Sequence, residues 1–330
     1  MARAPFFPPP PVAPAPTRAF ARMPPAVFPG IMGLFGLGLA LRRGVDVIGY
    51  PPALPEMILG GVSLLWVLAT LAYGVKLRQR TGVILDDLAI LPGRTGLSAM
   101  SLGLLLLAAT LLPYMPQGAA ALMFAGLALH GVIAALILYV LTKGPEEGRH
   151  VTPAWHLHFV GFIIAGLVAG PLGYGLLGMT LLVGSAIVAA LIWAVSLVQL
   201  ARRIPPAPLR PLLAIHLAPA SLLGTVAWLL GMQGVAVGFA VLGAVILAGL
   251  VVTIRWVTVS GFSALWGAFT FPLAAYTSLL FALAGPYPVL EWPALGCLIA
   301  CLGIVPAIAI RILQMWTKGT LAAKTNAATA

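Results

Sequence analysis

The sequence predicts an all-helical membrane protein of ten spans, paired as five helical hairpins around a central pore, odd helices inside and even helices outside. Three observations carry this. Ten apolar stretches begin near Phe28, Ala53, Thr95, Ala119, Pro153, Leu176, Leu212, Val235, Ser263 and Pro293. Basic residues occupy every second gap between them. Proline marks the odd stretches, whereas the even ones read as proline-free through their middles, as in residues 181–200 and 235–253.

Each stretch runs about 17 to 23 residues, enough to cross a hydrocarbon core of about 30 Å as a helix. Lipid cannot satisfy loose backbone groups, and continuous apolar runs without a period of two exclude barrel strands, so the spans are helices. The chain is 61% hydrophobic and 8% charged, far from the roughly 25% charged of soluble domains, and its mean hydropathy is +1.08. Connections this short leave one membrane domain, residues 28–317, and no soluble one. Residues 1–27, rich in proline from Pro5 to Pro25, read as a disordered cytoplasmic tail with no secretory h-region. Residues 318–330 read as a short polar cytoplasmic tail.

The charge pattern sets the orientation. One side holds Arg3, Arg18, Arg22, Lys76, Arg78, Arg80, Arg94, Lys143, Arg149, Arg202, Arg203, Arg210, Arg255, Arg311, Lys318 and Lys324, sixteen of the 18 basic residues. The other side has Arg42 and Arg43, beside Asp46. Lys and Arg favour cytoplasmic loops, so both termini are expected in the cytoplasm, with the chain multi-pass in the cell inner membrane. The same bias accounts for the net charge of +11, and no nucleic acid partner is expected.

The opposite connections, near residues 113–117, 170–174, 231–234 and 285–288, are short enough to close helical hairpins, repeating at roughly 50 to 65 residues. Pro29, Pro92, Pro153 and Pro211 fit helix starts as well as kinks. Pro219 and Pro272 lie deeper, where a missing backbone donor kinks the helix. Such breaks survive in a membrane where protein or water covers the freed carbonyls, hence the inner ring of odd helices.

Chemistry-bearing residues are sparse. No carboxylate falls near mid-membrane: Asp86, Asp87, Glu146 and Glu147 lie in cytoplasmic gaps, Glu56 in a first helical turn, and Glu291 in the last outer loop. His156 and His158 are about 200° apart on a helix and cannot grip one metal. His130 alone is near mid-span, where interhelical hydrogen bonding is the plainer role and a pore or proton role the alternative. Cys297 and Cys301 share one helix face as small packing residues and exclude a disulfide framework. No metal, no cofactor and no nucleophile–base pair is indicated, so an enzyme is not expected.

Four segments resemble the tellurite-resistance/dicarboxylate transporter family, which includes bacterial TehA-like channels and the related plant slow anion channels. They are Phe28-Pro29-Gly30-Ile31-Met32-Gly33, Pro92-Gly93-Arg94, Leu217-Ala218-Pro219-Ala220 and Trp266-Gly267-Ala268-Phe269-Thr270-Phe271-Pro272. Pro153-Ala154-Trp155 also fits. The resemblance runs from Phe28 to Lys318 and implies a homotrimer with one pore per protomer, formed by the five odd helices. It also implies a phenylalanine plug in the ninth helix, which maps onto Phe271. Gly30, Gly33, Pro219, Thr270 and Pro272 are then the expected pore-lining or kink residues. Met32-Gly33 stands where some bacterial relatives carry proline, so the first helix is expected to be less kinked.

The expected function is movement of small inorganic or organic anions through a pore gated by Phe271. An uncharged path favours anions through the cytoplasmic basic field and the helix termini at kinks. The alternative is a proton-coupled carrier of dicarboxylate, sulfite or tellurite, which needs a titrating group in the path. Without the resemblance, Phe271 would read as a packing aromatic like Phe262 or Phe269.

Overall fold

The computed structural model describes residues 18–330, which contain helices and no strand. Among them nine helices are long and apolar enough to cross a membrane: Pro25–Ile48, Ala53–Gln79, Leu91–Leu111, Pro116–Lys143, Gly175–Arg202, Ala207–Leu229, Gln233–Val252, Ala264–Ala284 and Pro288–Thr317. A further apolar helix, His156–Ala169, is shorter. Counted in chain order, the short one is the fifth. Connections of a few residues turn each odd helix into the next even one, so the two run antiparallel. All odd helices therefore begin at one face of the bundle, here the proximal face, and end at the distal face.

Burial separates the two sets. The hydrophobic windows of the first, third, seventh and ninth helices are 78%, 83%, 78% and 83% buried, and those of the even helices are 17% to 33% buried. The odd helices close a ring: the first packs against the third and ninth, the ninth against the seventh, and the fifth bridges the third and seventh. The even helices turn large apolar side chains outward, among them Leu64, Leu191 and Val245. Exposed apolar surface of this extent suits lipid rather than water.

The odd helices are irregular where the sequence places proline. The seventh is 3-10 over Ala207–His216 and α over Leu217–Leu229; the ninth is 3-10 over Ala264–Phe269 and α over Thr270–Ala284. Pro219 and Pro272 are each the third residue of the α portion. Proline lacks the N–H that would bond the carbonyl four residues back, and its ring crowds that carbonyl. The preceding turns then tighten to 3-10 bonding, as in Thr270 N–H to Gly267 O. The expected kinks thus take the form of a change of helix type. The fifth helix goes further, with a π turn over His156–Val160, 3-10 over Gly161–Ala165 and one α turn over Gly166–Ala169. The proline contrast fails once among the even helices: Pro306 lies inside the unbroken Glu291–Thr317 helix.

A buried ion pair ties the proximal face together. Lys76 Nζ lies 2.7 Å from Asp87 Oδ2, and both side chains are fully buried. Lys76 Nζ also donates to Met23 O, and Tyr73 Oη donates to Asp87 Oδ2 at 3.0 Å. Asp87 Oδ1 accepts from the backbone N–H of Ala328 at 3.0 Å. The segments expected as tails are therefore packed where the structure describes them. Met23 and Val27 are buried, while residues 1–17 lie outside the described residues. Beyond Lys318, Gly319 in the left-handed region (φ +71°) turns the chain into a short helix, Thr320–Lys324, which buries Leu321. Buried Leu321 and Ala322, and Asp87 as acceptor, hold this segment against the proximal face.

Removing one partner of a fully buried pair leaves an uncompensated charge, at a cost of about 3–5 kcal/mol. Asp87→Leu is expected to lower the thermal midpoint of the purified protein in detergent. Asp87→Leu with Lys76→Met should recover part of the loss, which scanning fluorimetry would read directly.

Candidate functional site

Two cavities lie end to end inside the ring. The proximal one, of about 60 Å³, is lined by Met32, Thr95, His156, Pro219 and Pro272 among others; the distal one, of about 190 Å³, by Gly36, Arg42, Arg43, Thr225 and Ser278 among others. Each exceeds the ~10–15 Å³ that holds one water. Among the described residues, every lining residue of both comes from an odd helix or from Leu112, Pro113 and Pro171 at distal turns. No Asp or Glu is among them.

Phe271 and Leu222 line both cavities. They come from the ninth and seventh helices, which pack on each other, and are only 6% and 7% exposed. One apolar ring and one isobutyl group therefore form the partition. Local structure places the ring. Phe271 precedes Pro272, at the point where 3-10 geometry gives way to α, and it faces Gly36 on the first helix. A Cβ at Gly36 would lie 3.0 Å from Phe271 Cδ2 and 3.0 Å from Ala274 Cβ, so the missing side chain leaves the space the ring occupies.

The other expected lining residues divide. Pro219 and Pro272 line the proximal cavity. Gly30, Gly33 and Thr270 line neither. Gly30 faces the tenth helix, where a Cβ would meet Ile312 at 3.5 Å. Gly33 lies against Thr270, and a Cβ there would overlap that side chain. Thr270 is fully buried and donates its hydroxyl to Gly267 O at 2.7 Å, with Pro29 O a weaker, shared acceptor at 3.3 Å. These three lock the first helix onto the ninth and tenth.

His130 also lines neither cavity. Its Nδ1 is 2.8 Å from Ser101 Oγ, and its ring meets Phe162 edge-on at 4.5 Å. With Ser98 Oγ 2.7 Å from His158 Nδ1 and Ser101 Oγ donating to Ser98 O, this is a polar seam joining the third, fourth and fifth helices. A titratable group does reach a cavity elsewhere. His156 lines the proximal one, and its Nε2 is 2.9 Å from His216 Nδ1. One of those two nitrogens carries the shared proton. Sequence reasoning passed over this pair because its members stand on different helices, 60 residues apart, and it missed Leu222, a plain leucine in an apolar run. Gly36 had a signal, the three-residue repeat Gly30, Gly33, Gly36 on one helix.

Among the described residues no three His, Cys, Asp or Glu side chains converge as metal ligands. Cys301 is buried and free, with Sγ 3.3 Å from Thr277 Oγ1, and Cys297 is free and partly buried.

A family model described as voltage-dependent anion channel matches residues 22–313. No curated protein matches the chain.

The close approach of Gly33 to Thr270 yields a direct test of packing. Gly33→Ala inserts a methyl group where no space exists, and overpacking costs about 1–3 kcal/mol. The variant should melt at a lower temperature, and Gly33→Ala with Thr270→Gly should regain most of the difference. An unaltered midpoint in Gly33→Ala would contradict the contact.

Proposed function

The chain belongs to the voltage-dependent anion channel family, and on that premise we propose that it conducts small anions along the axis of its odd-helix ring, with Phe271 as the gate. The observation that carries this reading is the partition: two cavities, lined by the same five helices, meet at Phe271 and Leu222. An apolar ring across a narrow path excludes water and blocks ions, and its withdrawal leaves room for a hydrated column. Burying such a ring is worth about 1.5–3 kcal/mol, small enough for voltage, a ligand or a modification to overcome.

Charge supports anions over cations. No acid lines either cavity, while Arg42, Arg43 and His156 do. In this reading all ten helices cross the inner membrane, the proximal face is cytoplasmic, and both termini lie there, as the basic residues favour. Three protomers assemble, each with its own path, as the family resemblance implies.

A second reading, a proton-coupled carrier of a dicarboxylate, sulfite or tellurite, is favoured by one observation: His156, bonded to His216, lines the proximal cavity. A shared proton beside the path could be exchanged with the cytoplasm once per cycle.

Phe271→Ala is expected to raise basal anion current in planar bilayers at least tenfold with normal trimer yield. Leu222→Ala should do so by less, because a smaller group leaves, and Phe269→Ala should match the parent. Near-background currents from both Phe271→Ala and Leu222→Ala would remove the gate from this partition. The carrier reading makes a separate prediction in proteoliposomes: an imposed pH gradient drives uphill anion accumulation, and His156→Gln abolishes it. Flux that follows the anion gradient alone, with His156→Gln unchanged, would exclude that reading.

A further inference from the structure

The distal cavity holds a cation that no described residue pairs with. Arg42 and Arg43 both line it, but they are not equivalent. Arg42 is spent on the protein itself: Nε and Nη2 each lie 2.6 Å from an oxygen of Glu56. Its remaining donors reach Ala109 O at 3.3 Å and Thr110 O at 3.0 Å, at the end of the third helix. That is a forked guanidinium, ion-paired with Glu56 and with four of its five N–H groups engaged. Arg43 makes no hydrogen bond or ion pair with any described residue, and Asp46, one turn on, is exposed and not bonded to it. An ionisable side chain within a spanning helix marks a functional site by default, because its charge needs a partner.

We propose that Arg43 is the anion-binding residue of the distal cavity, holding one small monovalent anion in wait beyond the partition. The inference deepens the pore reading and rests on it. Gly36, Leu39 and Arg43 all line this cavity, and seven residues of helix separate Gly36, which faces Phe271, from Arg43. At about 1.5 Å per residue the site stands about 10.5 Å along the axis from the partition. Thr225, whose hydroxyl donates to Ser221 O, and Ser278 also line the wall, which is otherwise largely apolar. With Arg42 cancelled by Glu56, the site carries one net positive charge. It therefore suits monovalent anions and offers nothing to the second charge of a sulfate or dicarboxylate. A guanidinium matches planar oxyanions through two parallel N–H donors, and an apolar wall disfavours strongly hydrated ions. The expected order is nitrate, then chloride, then sulfate.

Binding is measurable without conduction. Chloride added to the full-length protein in detergent, followed by chlorine nuclear magnetic resonance line broadening, should saturate. Nitrate should displace it at lower concentration than sulfate. Arg43→Gln should weaken chloride binding at least tenfold, and Arg43→Lys, which keeps the charge but loses the fork, should restore chloride binding while narrowing the preference for nitrate. Chloride binding by Arg43→Gln equal to the parent would overturn the assignment. The two readings separate cleanly in the Phe271→Ala background. Arg43-dependent binding with no anion current would leave the site standing and refute the pore. Anion current with Arg43-independent binding would leave the pore and refute the site.

Discussion

Lipid offers no hydrogen bonds, and every feature of this protein answers to that fact. A helix facing the bilayer must bond all of its backbone internally, so irregular backbone is admissible only where protein or enclosed water surrounds it. The 3-10 and π turns of the fifth, seventh and ninth helices are enclosed in this way, inside a ring whose outer members are regular. The even helices are more than a lipid-facing jacket. By keeping the bilayer away, they permit the inner helices to change type at mid-depth, and those changes of type position Phe271 and the two prolines at the cavities.

The inner contacts work through absence as much as through presence. Gly33 lets Thr270 approach the first helix, and Gly36 gives Phe271 its space. The first and ninth helices are thereby matched residue against residue over about one turn. Packing of this density leaves few arrangements for the ring of Phe271, and the nearest unfilled volumes are the cavities on either side.

The all-helical membrane character was legible because it is written in a quantity that a membrane amplifies, apolar length, and proline depth marked the irregular helices. Phe271, Pro219 and Pro272, singled out by motif and position, all line the proximal cavity. Gly30, Gly33 and Thr270 belonged to the same motifs, yet they face neighbouring helices, since a helix motif does not say which way each residue points. The His156–His216 pair, Leu222 and the isolation of Arg43 are relations across helices, and relations of that kind need the fold. The packing of the end of the chain is a relation of the same kind. Asp87, its acceptor, is more than two hundred residues away, and composition alone does not pair them.

The thinness of the partition has an electrical consequence. A membrane potential falls across whatever is least polarisable along its route. Were water to fill the cavities on both sides of Phe271 and Leu222, the drop would concentrate over the width of two side chains rather than over the ~30 Å of the hydrocarbon core. An ion stepping past that pair would traverse most of the potential in one short move, worth about 2.3 kcal/mol per charge for each 100 mV. An ion resting at Arg43 would stand outside the drop. Occupancy of the distal cavity would then be indifferent to voltage, and passage through the partition steeply sensitive to it.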